Sequence, residues 1–337
     1  MPDLASLGWD DAWSAAFEPY REEGLVPGRV AAPHRRGYDV LTEDDELRAH
    51  LAGNLRRRAA PSELPVVGDW VALDPKGAIV EVLPRRTKFS RRAPFDRGAR
   101  AAREQVVAAN VDVVFVVAAL GAEADERLLG RYLTLAHESG ARPVVLLTKA
   151  DLEDDPGGAT ERVARLVSSV PVHAVSARTG HGLEAVRAEL PHGVTGALLG
   201  PSGVGKSTLV NALVGDEDLL ATAEVRDDGA GRHTTTRRQL VLLPGGGLVV
   251  DNPGMRELHL WLAGEGLTEA FADVAELAAD CRFADCRHES EPGCAVRAAV
   301  DEGRLASERL EAFRALRREL EELERELERR ERSRPRR

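Results

Sequence analysis

The sequence predicts a multidomain α/β protein. A small all-β barrel comes first, then a mostly parallel sheet with helices, then a helical module gathered around cysteines. Three observations carry this. Short β-like runs separated by turns fill residues 25–90. Six apolar strand-like runs, most of them separated by helical segments, fill 111–251. All 3 cysteines fall between residues 281 and 294, ahead of a highly charged helical stretch. The expected boundaries are 1–24 for an N-terminal helical extension, 25–92 for the barrel, 98–262 for the α/β domain and 263–332 for the cysteine module with its terminal helix. A chain of 337 residues has room for such a set. Its 43% hydrophobic and 30% charged content is ordinary for a globular protein. It has no apolar run long enough to span a bilayer and no basic, then apolar, secretory leader, so the expected compartment is the cytoplasm, with no membrane partner.

In the N-terminal extension, Trp9, Trp13 and Phe17 recur at helical spacing, which predicts a short amphipathic helix docked on a core. The barrel runs are "LVPGRVAA", "GYDVLT", "PVVGDWVALD" and "GAIVEVLP". Short strands at this density suit an OB-fold. Arg35, Arg36, Arg56, Arg57 and Arg58 sit in its expected loops, and Arg85, Arg86, Lys88, Arg91 and Arg92 follow its last strand. Residues 21–103 hold 17 Lys/Arg against 12 Asp/Glu in a chain of net charge −10. A basic module on an acidic body points to a polyanionic partner. Aromatics are scarce there, so phosphate contact is favoured over base stacking.

"TGALLGPSGVGKSTLVNALVG" reads as strand, Gly-rich loop and helix. Gly200, Pro201, Ser202, Gly203, Val204, Gly205, Lys206 and Ser207, followed by Thr208, match the phosphate-gripping pattern G-x-x-x-x-G-K-[ST]. Successive backbone N–H groups and a helix N-terminus cradle phosphate, Lys206 reaches the β- and γ-phosphates, and Ser207 is the expected Mg²⁺ ligand. Only 4 of the 46 basic residues are lysines: Lys76, Lys88, Lys149 and Lys206. Positions that resist such a bias towards Arg are candidates for a compact ammonium.

The base is expected to be read elsewhere. "PVVLLTKAD" ends a strand in Thr148, Lys149, Ala150 and Asp151. A carboxylate there accepts from both N1–H and the exocyclic amine of guanine, a donor pair that adenine lacks. Lys149 lies along the base, and the Ser176-Ala177 turn after "PVHAV" offers a backbone N–H to the guanine carbonyl. Together these resemble the base-specificity loops of GTPases. Thr148 stands where GTPases usually have Asn, which removes an amide that ties this loop to the phosphate loop, so a weaker tie is expected. Downstream, Thr235 or Thr236 of "GRHTTTRRQL" is the expected second Mg²⁺ ligand and γ-phosphate sensor. "DNPG" offers Asp251 to Mg²⁺ and the Gly254 N–H to the γ-phosphate. Met255 follows, where Ras-type enzymes have a water-orienting Gln, so slow intrinsic hydrolysis is expected, with His233 as candidate water-orienter. The candidate catalytic residues are therefore His233, Lys206 and Thr235. Ordinary GTPases place the phosphate loop first and the base loops last. Here the base loops precede it, so the order is circularly permuted, which a sheet tolerates because strand neighbours are unchanged.

Cys281, Cys286, His288 and Cys294 form C-x4-C-x-H-x5-C. Three thiolates and an imidazole make a closed tetrahedral zinc site of the structural kind, one per chain. A disulfide reading would leave one thiol over. In the terminal helix, Phe313, Leu316, Leu320, Leu323 and Leu327 form a narrow stripe expected to pack back on the body.

"TKAD", "GPSGVGKST", "GRHTTT", "DNPG" and "CRFADCRHESEPGC", in this order behind a barrel-like segment, resemble the bacterial ribosome small-subunit-dependent GTPase A family over nearly the whole chain. The resemblance implies an OB-fold, a circularly permuted P-loop GTPase domain and a C-terminal zinc-binding helical domain. It implies binding to the 30S subunit and its 16S rRNA near the decoding region, hydrolysis of GTP stimulated by that subunit, a role in late 30S maturation, and help in releasing another assembly factor. A monomer is expected. Thr148 and Asn252 depart from the family pattern without removing a charge. The alternative is a GTP-gated RNA-binding switch with incidental hydrolysis, motivated by Met255. An ATPase is disfavoured by Asp151.

Overall fold

A computed structural model describes residues 3–43, 45–92, 104–120, 126–167, 170–215, 240–251 and 264–332. Helix α1 (Asp11–Glu22) begins where the Asp10 carboxylate accepts from the Trp13 N–H at 2.9 Å. Trp13 and Phe17 are buried on its inner face. Trp9 lies just outside the helix, a departure from the periodic reading. Its ring meets Trp70 edge-on at 4.7 Å, and its indole N–H donates to Ser14 Oγ at 2.8 Å.

The barrel is closed in the order β1 (Val26–His34), β2 (Gly37–Leu41), β3 (Glu46–Leu51), β5 (Ala78–Val82), β4 (Trp70–Leu73). β1 pairs antiparallel with both β2 and β4, and β3 pairs parallel with β5. Val30, Val40, Val71, Leu73 and Ile79 fill the interior, and Leu55 of helix α2 (Gly53–Arg58) packs with them. This is the all-β barrel expected from the sequence. β3, "ELRAHL", was not among the runs read as strands, because its charged residues face outward and only Ala49 is fully buried. An antiparallel ribbon, β6 (Lys88–Arg92) with β7 (Glu104–Ala109), also went unread.

The second sheet runs β10 (Val172–Ala174), β9 (Arg142–Thr148), β8 (Val113–Ala119), β11 (Thr195–Leu199), β13 (Leu248–Val250), β12 (Leu240–Leu242). All neighbours are parallel except β12 on β13. Alternation along β8 serves two cores. Val113, Phe115 and Val117 face α5 (Leu183–Ala188) and α6 (Lys206–Val214), whereas Val114 and Val116 face α3 (Glu126–Glu138) and α4 (Pro156–Leu166). Residues on both faces are covered, which is why these strands read as continuous apolar runs.

Helices α7 (Gly264–Ala270), α8 (Ala272–Ala278), α9 (Ala295–Asp301) and α10 (Ser307–Arg332) complete the described chain. α7 and α10 pack on α3. A Cβ on Gly130 of α3 would come within 2.7 Å of the Phe271 ring, so only glycine admits this approach. Leu316 and Leu320 of α10 are buried there, and Arg131 pairs with Glu319 at 2.8 Å. The terminal helix packs back on the body, as its stripe predicts. Among the described residues no helix is long and apolar enough to cross a membrane.

Polar contacts fasten the barrel to its own exit and to the N-terminal segment. Asp69 and Arg85 form a buried ion pair at 2.8 Å, in which burial pushes the carboxyl up while Arg85 pulls it back. Arg85 also donates to Ser62 O and Leu64 O. Arg86 holds Asp10 at 2.6 Å, drawing that carboxyl down to about 2, and covers the Trp13 ring. Trp70 is fully buried among Trp9, Trp13 and Arg29. Replacing Trp70 by Ala is expected to cost about 3–5 kcal/mol and to lower the first melting transition, read by calorimetry.

Candidate functional site

A parallel sheet brings the carboxyl ends of its strands to one edge, and the predicted motifs sit there. Thr148 to Asp151 follow β9, Ser176 and Ala177 follow β10, Gly200 follows β11, and Asp251 follows β13. The phosphate loop begins under constraint: a Cβ on Gly200 would lie 2.3 Å from Val117 O of the neighbouring strand. At the far end Gly205 has φ +98° and caps α6, so its N–H can turn into the loop. A Cβ at Gly203 would meet no atom within 4 Å, which leaves the loop face open to a ligand. Lys206 arches back over the loop, its Nζ donating to Gly200 O at 2.7 Å and Pro201 O at 2.6 Å. The ammonium is thereby fixed at the mouth of the cradle. Ser202 and Thr208 are exposed, Val204 is buried, and Pro201 and Ser207 are half-buried. The arrangement fits a nucleotide phosphate: an open concave backbone, a helix N-terminus and one fixed cation.

The base-reading pair is assembled from two strands. Ser176 Oγ donates to Asp151 Oδ1 at 2.7 Å, and this bond holds the Asp151 carboxyl below its ordinary value. The carboxylate is exposed and ionised at neutral pH, with its second oxygen available to a ligand. The Ala150 N–H donates to Val175 O at 3.1 Å, which ties the two turns together. Lys149 adopts φ +60°, the left-handed region, and its side chain is exposed alongside.

Thr148 was expected to tie base loop and phosphate loop more weakly than the usual Asn amide. A tie is present: its hydroxyl lies 2.5 Å from Val204 O and 3.1 Å from Ala118 O. A hydroxyl has one hydrogen, and the shorter contact takes it. The tie is kept by a buried hydroxyl to main chain. Sequence reasoning missed it because the acceptor is a carbonyl, which no residue type announces. His233, Thr235, Thr236, Asn252, Gly254 and Met255 lie outside the described residues.

The Cys and His ligand atoms lie within 4.8 Å of one another. His288 Nδ1 is 3.6 Å from Cys281 Sγ and 3.4 Å from Cys294 Sγ, and the two sulfurs are 3.9 Å apart. A tetrahedral zinc with sulfur at about 2.3 Å and nitrogen at about 2.0 Å requires edges of about 3.5–3.8 Å, so the set fits that metal. With only protein around it, the Cys286 thiol is pushed up to about 11, first by burial and next by its thiol neighbours. A bound cation would favour the Cys286 thiolate against that burial. His288 is held at φ +61°, and the Glu291 carboxylate accepts the N–H groups of Arg287, Glu289 and Ser290 just beyond it. Arg317 of α10 donates to Cys286 O, so the terminal helix braces the knuckle.

Of the basic residues after the last barrel strand, Arg85, Arg86 and Lys88 are engaged with Asp69, Asp10 and Glu104. Arg58 pairs with Glu81. Arg35 and Arg36 in the β1–β2 turn, with Arg56 and Arg57 of α2, are exposed.

Sheet and loops together define a P-loop GTPase whose chain is circularly permuted. A family model described as RsgA GTPase matches residues 82–261, slightly more than half of the chain. The Streptomyces coelicolor protein called small ribosomal subunit biogenesis GTPase RsgA is 49% identical over 323 residues, covering 94% of this chain and 86% of its own. A protein of the same name from Opitutus terrae is 46% identical, covering 94% and 89%. The chain belongs to the RsgA GTPase family. The solved structure of YjeQ from Thermotoga maritima matches with a TM-score of 0.66 at 28% identity, over 88% of this chain and 98% of that one. YloQ, titled a circularly permuted GTPase, matches in fold with a TM-score of 0.63.

Two outcomes follow from this geometry. Thr148→Val keeps the shape and removes the donor to Val204 O. GTP affinity is expected to fall about tenfold, or about 1.4 kcal/mol, in a fluorescent-nucleotide titration, with the fold retained. The protein is expected to carry one equivalent of zinc by metal analysis. Cys294→Ser should lose it and lose hydrogen-exchange protection in α8 and α9, with β8 and β9 unaffected.

Proposed function

We propose that this GTPase acts on the small ribosomal subunit during its late maturation, hydrolyses GTP to GDP and phosphate when that subunit stimulates it, and helps to release assembly factors. The carrying observation is the convergence of Asp151 with Ser176, the 200–208 loop and Asp251 on one sheet edge, in permuted order. The relatives named for small ribosomal subunit biogenesis support the choice of partner. The exposed Arg35, Arg36, Arg56 and Arg57 offer the barrel to 16S rRNA phosphate.

In this reading Asp151 takes the two guanine donors and the Ala177 turn meets the guanine carbonyl. Backbone N–H groups of 200–208 hold the phosphates, and Lys206 neutralises the β–γ bridge. Ser207 and Thr235 or Thr236, with Asp251, would hold Mg²⁺, and the Gly254 N–H would touch the γ-phosphate. When bound, Mg²⁺ neutralises charge that develops on the β- and γ-oxygens. His233 orients the water that displaces GDP from the γ-phosphoryl group. Cys281, Cys286, His288 and Cys294 hold one structural zinc. The segments 1–24, 25–92, 98–262 and 263–332 act as extension, barrel, GTPase domain and zinc domain of a cytoplasmic monomer.

Two measurements check this. Asp151→Asn cannot accept from both guanine donors, so GTP affinity should fall about a hundredfold, while xanthosine triphosphate, which offers a carbonyl to the new amide, should bind better than to the parent protein. GTP turnover should rise on adding purified 30S subunits, and His233→Ala should remove most of that rise while sparing GTP binding. Turnover that 30S leaves unchanged would favour the RNA-binding switch with incidental hydrolysis, for which Met255 in the water-orienting position speaks.

A further inference from the structure

Arg29 is a cation buried at the centre of the molecule, 2% exposed. Its Nε donates to Gly68 O at 3.4 Å, its Nη1 to Leu7 O, and its Nη2 to Asn110 O at 3.0 Å and Thr195 Oγ1 at 2.8 Å. Four of its five N–H donors thus reach four separate segments: the residues before α1, the β4 approach, the β7–β8 connection and the first residue of β11. None of these acceptors is a carboxylate. Burial pushes the guanidinium down to about 10, and Asp112 and Asp69 offset this only from a distance. A packed apolar side chain in such a place is commonly the more stabilising choice, so a charge here argues for geometry rather than stability.

What the guanidinium joins is informative. Arg29 lies on β1, whose far end is the exposed Arg35–Arg36 turn. Thr195 opens β11, whose far end is the phosphate loop at Gly200, about 17 Å along the strand. Thr195 is held from a second side as well: its N–H donates to Asp112 Oδ2 at 2.8 Å, and its carbonyl accepts from the Asp112 N–H at 2.8 Å. The Asn110 side chain donates to Gly68 O and accepts from the Arg86 N–H, so the barrel exit joins the same knot.

We propose that Arg29 is a positioning residue for GTP hydrolysis: it locks the barrel strand ending in Arg35–Arg36 to the base of β11, so that a polyanion held by the barrel sets the position of the phosphate loop. The proposal rests on the reading of the protein as a GTPase stimulated by 30S subunits. A mere packing role would weaken basal and stimulated turnover together. A positioning role separates them.

The test compares Arg29→Lys, Arg29→Met and Thr195→Val in the full chain, with purified 30S subunits as the probe. Basal kcat, KM for GTP and co-sedimentation with 30S should stay within about twofold of the parent, whereas the ratio of stimulated to basal kcat should fall about tenfold for both Arg29 variants and about threefold for Thr195→Val. Arg29→Lys with Thr195→Val should be no worse than Arg29→Lys alone, because the Arg29–Thr195 contact that Thr195→Val removes is already lost with the guanidinium fork. An unchanged ratio overturns the proposal, as does an equal loss of basal and stimulated turnover. If the Arg29 variants do not fold, Thr195→Val decides by the same ratio. If the parent protein itself shows no stimulation, the functional reading fails first and the coupling falls with it. Stimulation intact in the parent and in every variant defeats the coupling alone.

Discussion

Parallel strands deliver their carboxyl ends to one edge of a sheet, whatever the order in which the chain visits them. β9, β10, β11 and β13 do so here, and every described group of the nucleotide site hangs from those ends. The loops need to be neighbours in space, and strand pairing supplies that. Joining the base loops directly to the phosphate loop and opening the chain between the Asp251 strand and the base-loop strands therefore changes what is attached to the sheet while leaving the site in place. The gain is at the termini. The barrel is followed by the β6–β7 ribbon and then β8, and β13, with Asp251 after it, precedes the zinc module in the chain.

At this edge and at the opposite end of β11 the molecule uses main-chain acceptors as locks. The Thr148 hydroxyl reaches Val204 O, Lys206 reaches two loop carbonyls, and Arg29 reaches three carbonyls and a hydroxyl. Such bonds fix position with little dependence on the identity of the partner residue. They are also costly to leave unmade once buried, because the orphaned carbonyl keeps its desolvation penalty. The site is thus held by contacts that tolerate sequence change on one side only.

The zinc knuckle is braced by a helix that also packs on the GTPase sheet's own helix α3. α10 places Leu316 against Gly130 and Phe271 and sends Arg317 to the knuckle at Cys286 O. Barrel, sheet and knuckle are in this way fastened in series, with α1 and the Trp9–Trp13–Trp70 cluster closing the opposite side.

The sequence by itself determined what depends on residue type and spacing. The glycines and lysine of 200–208, the Asp151 and Ser176 turns, the Cys and His set, and the permuted order were legible because each names a chemistry through side chains or through backbone freedom. The sheet was legible too, since both faces of its strands are buried and the runs are uniformly apolar. β3 and the β6–β7 ribbon were not, because solvent on one face lets charged residues stand in strands. Tertiary structure alone decided which of the basic residues are paired with acids, since Arg85, Arg86 and Lys88 find theirs 16 or more residues away. It alone showed that Thr148 keeps the loop tied and that Arg29, one arginine among many in the sequence, is buried at the meeting of four segments. The physical reason is common to these cases: carbonyl acceptors and distant carboxylates carry no local signature, and only the folded chain brings them within hydrogen-bond reach.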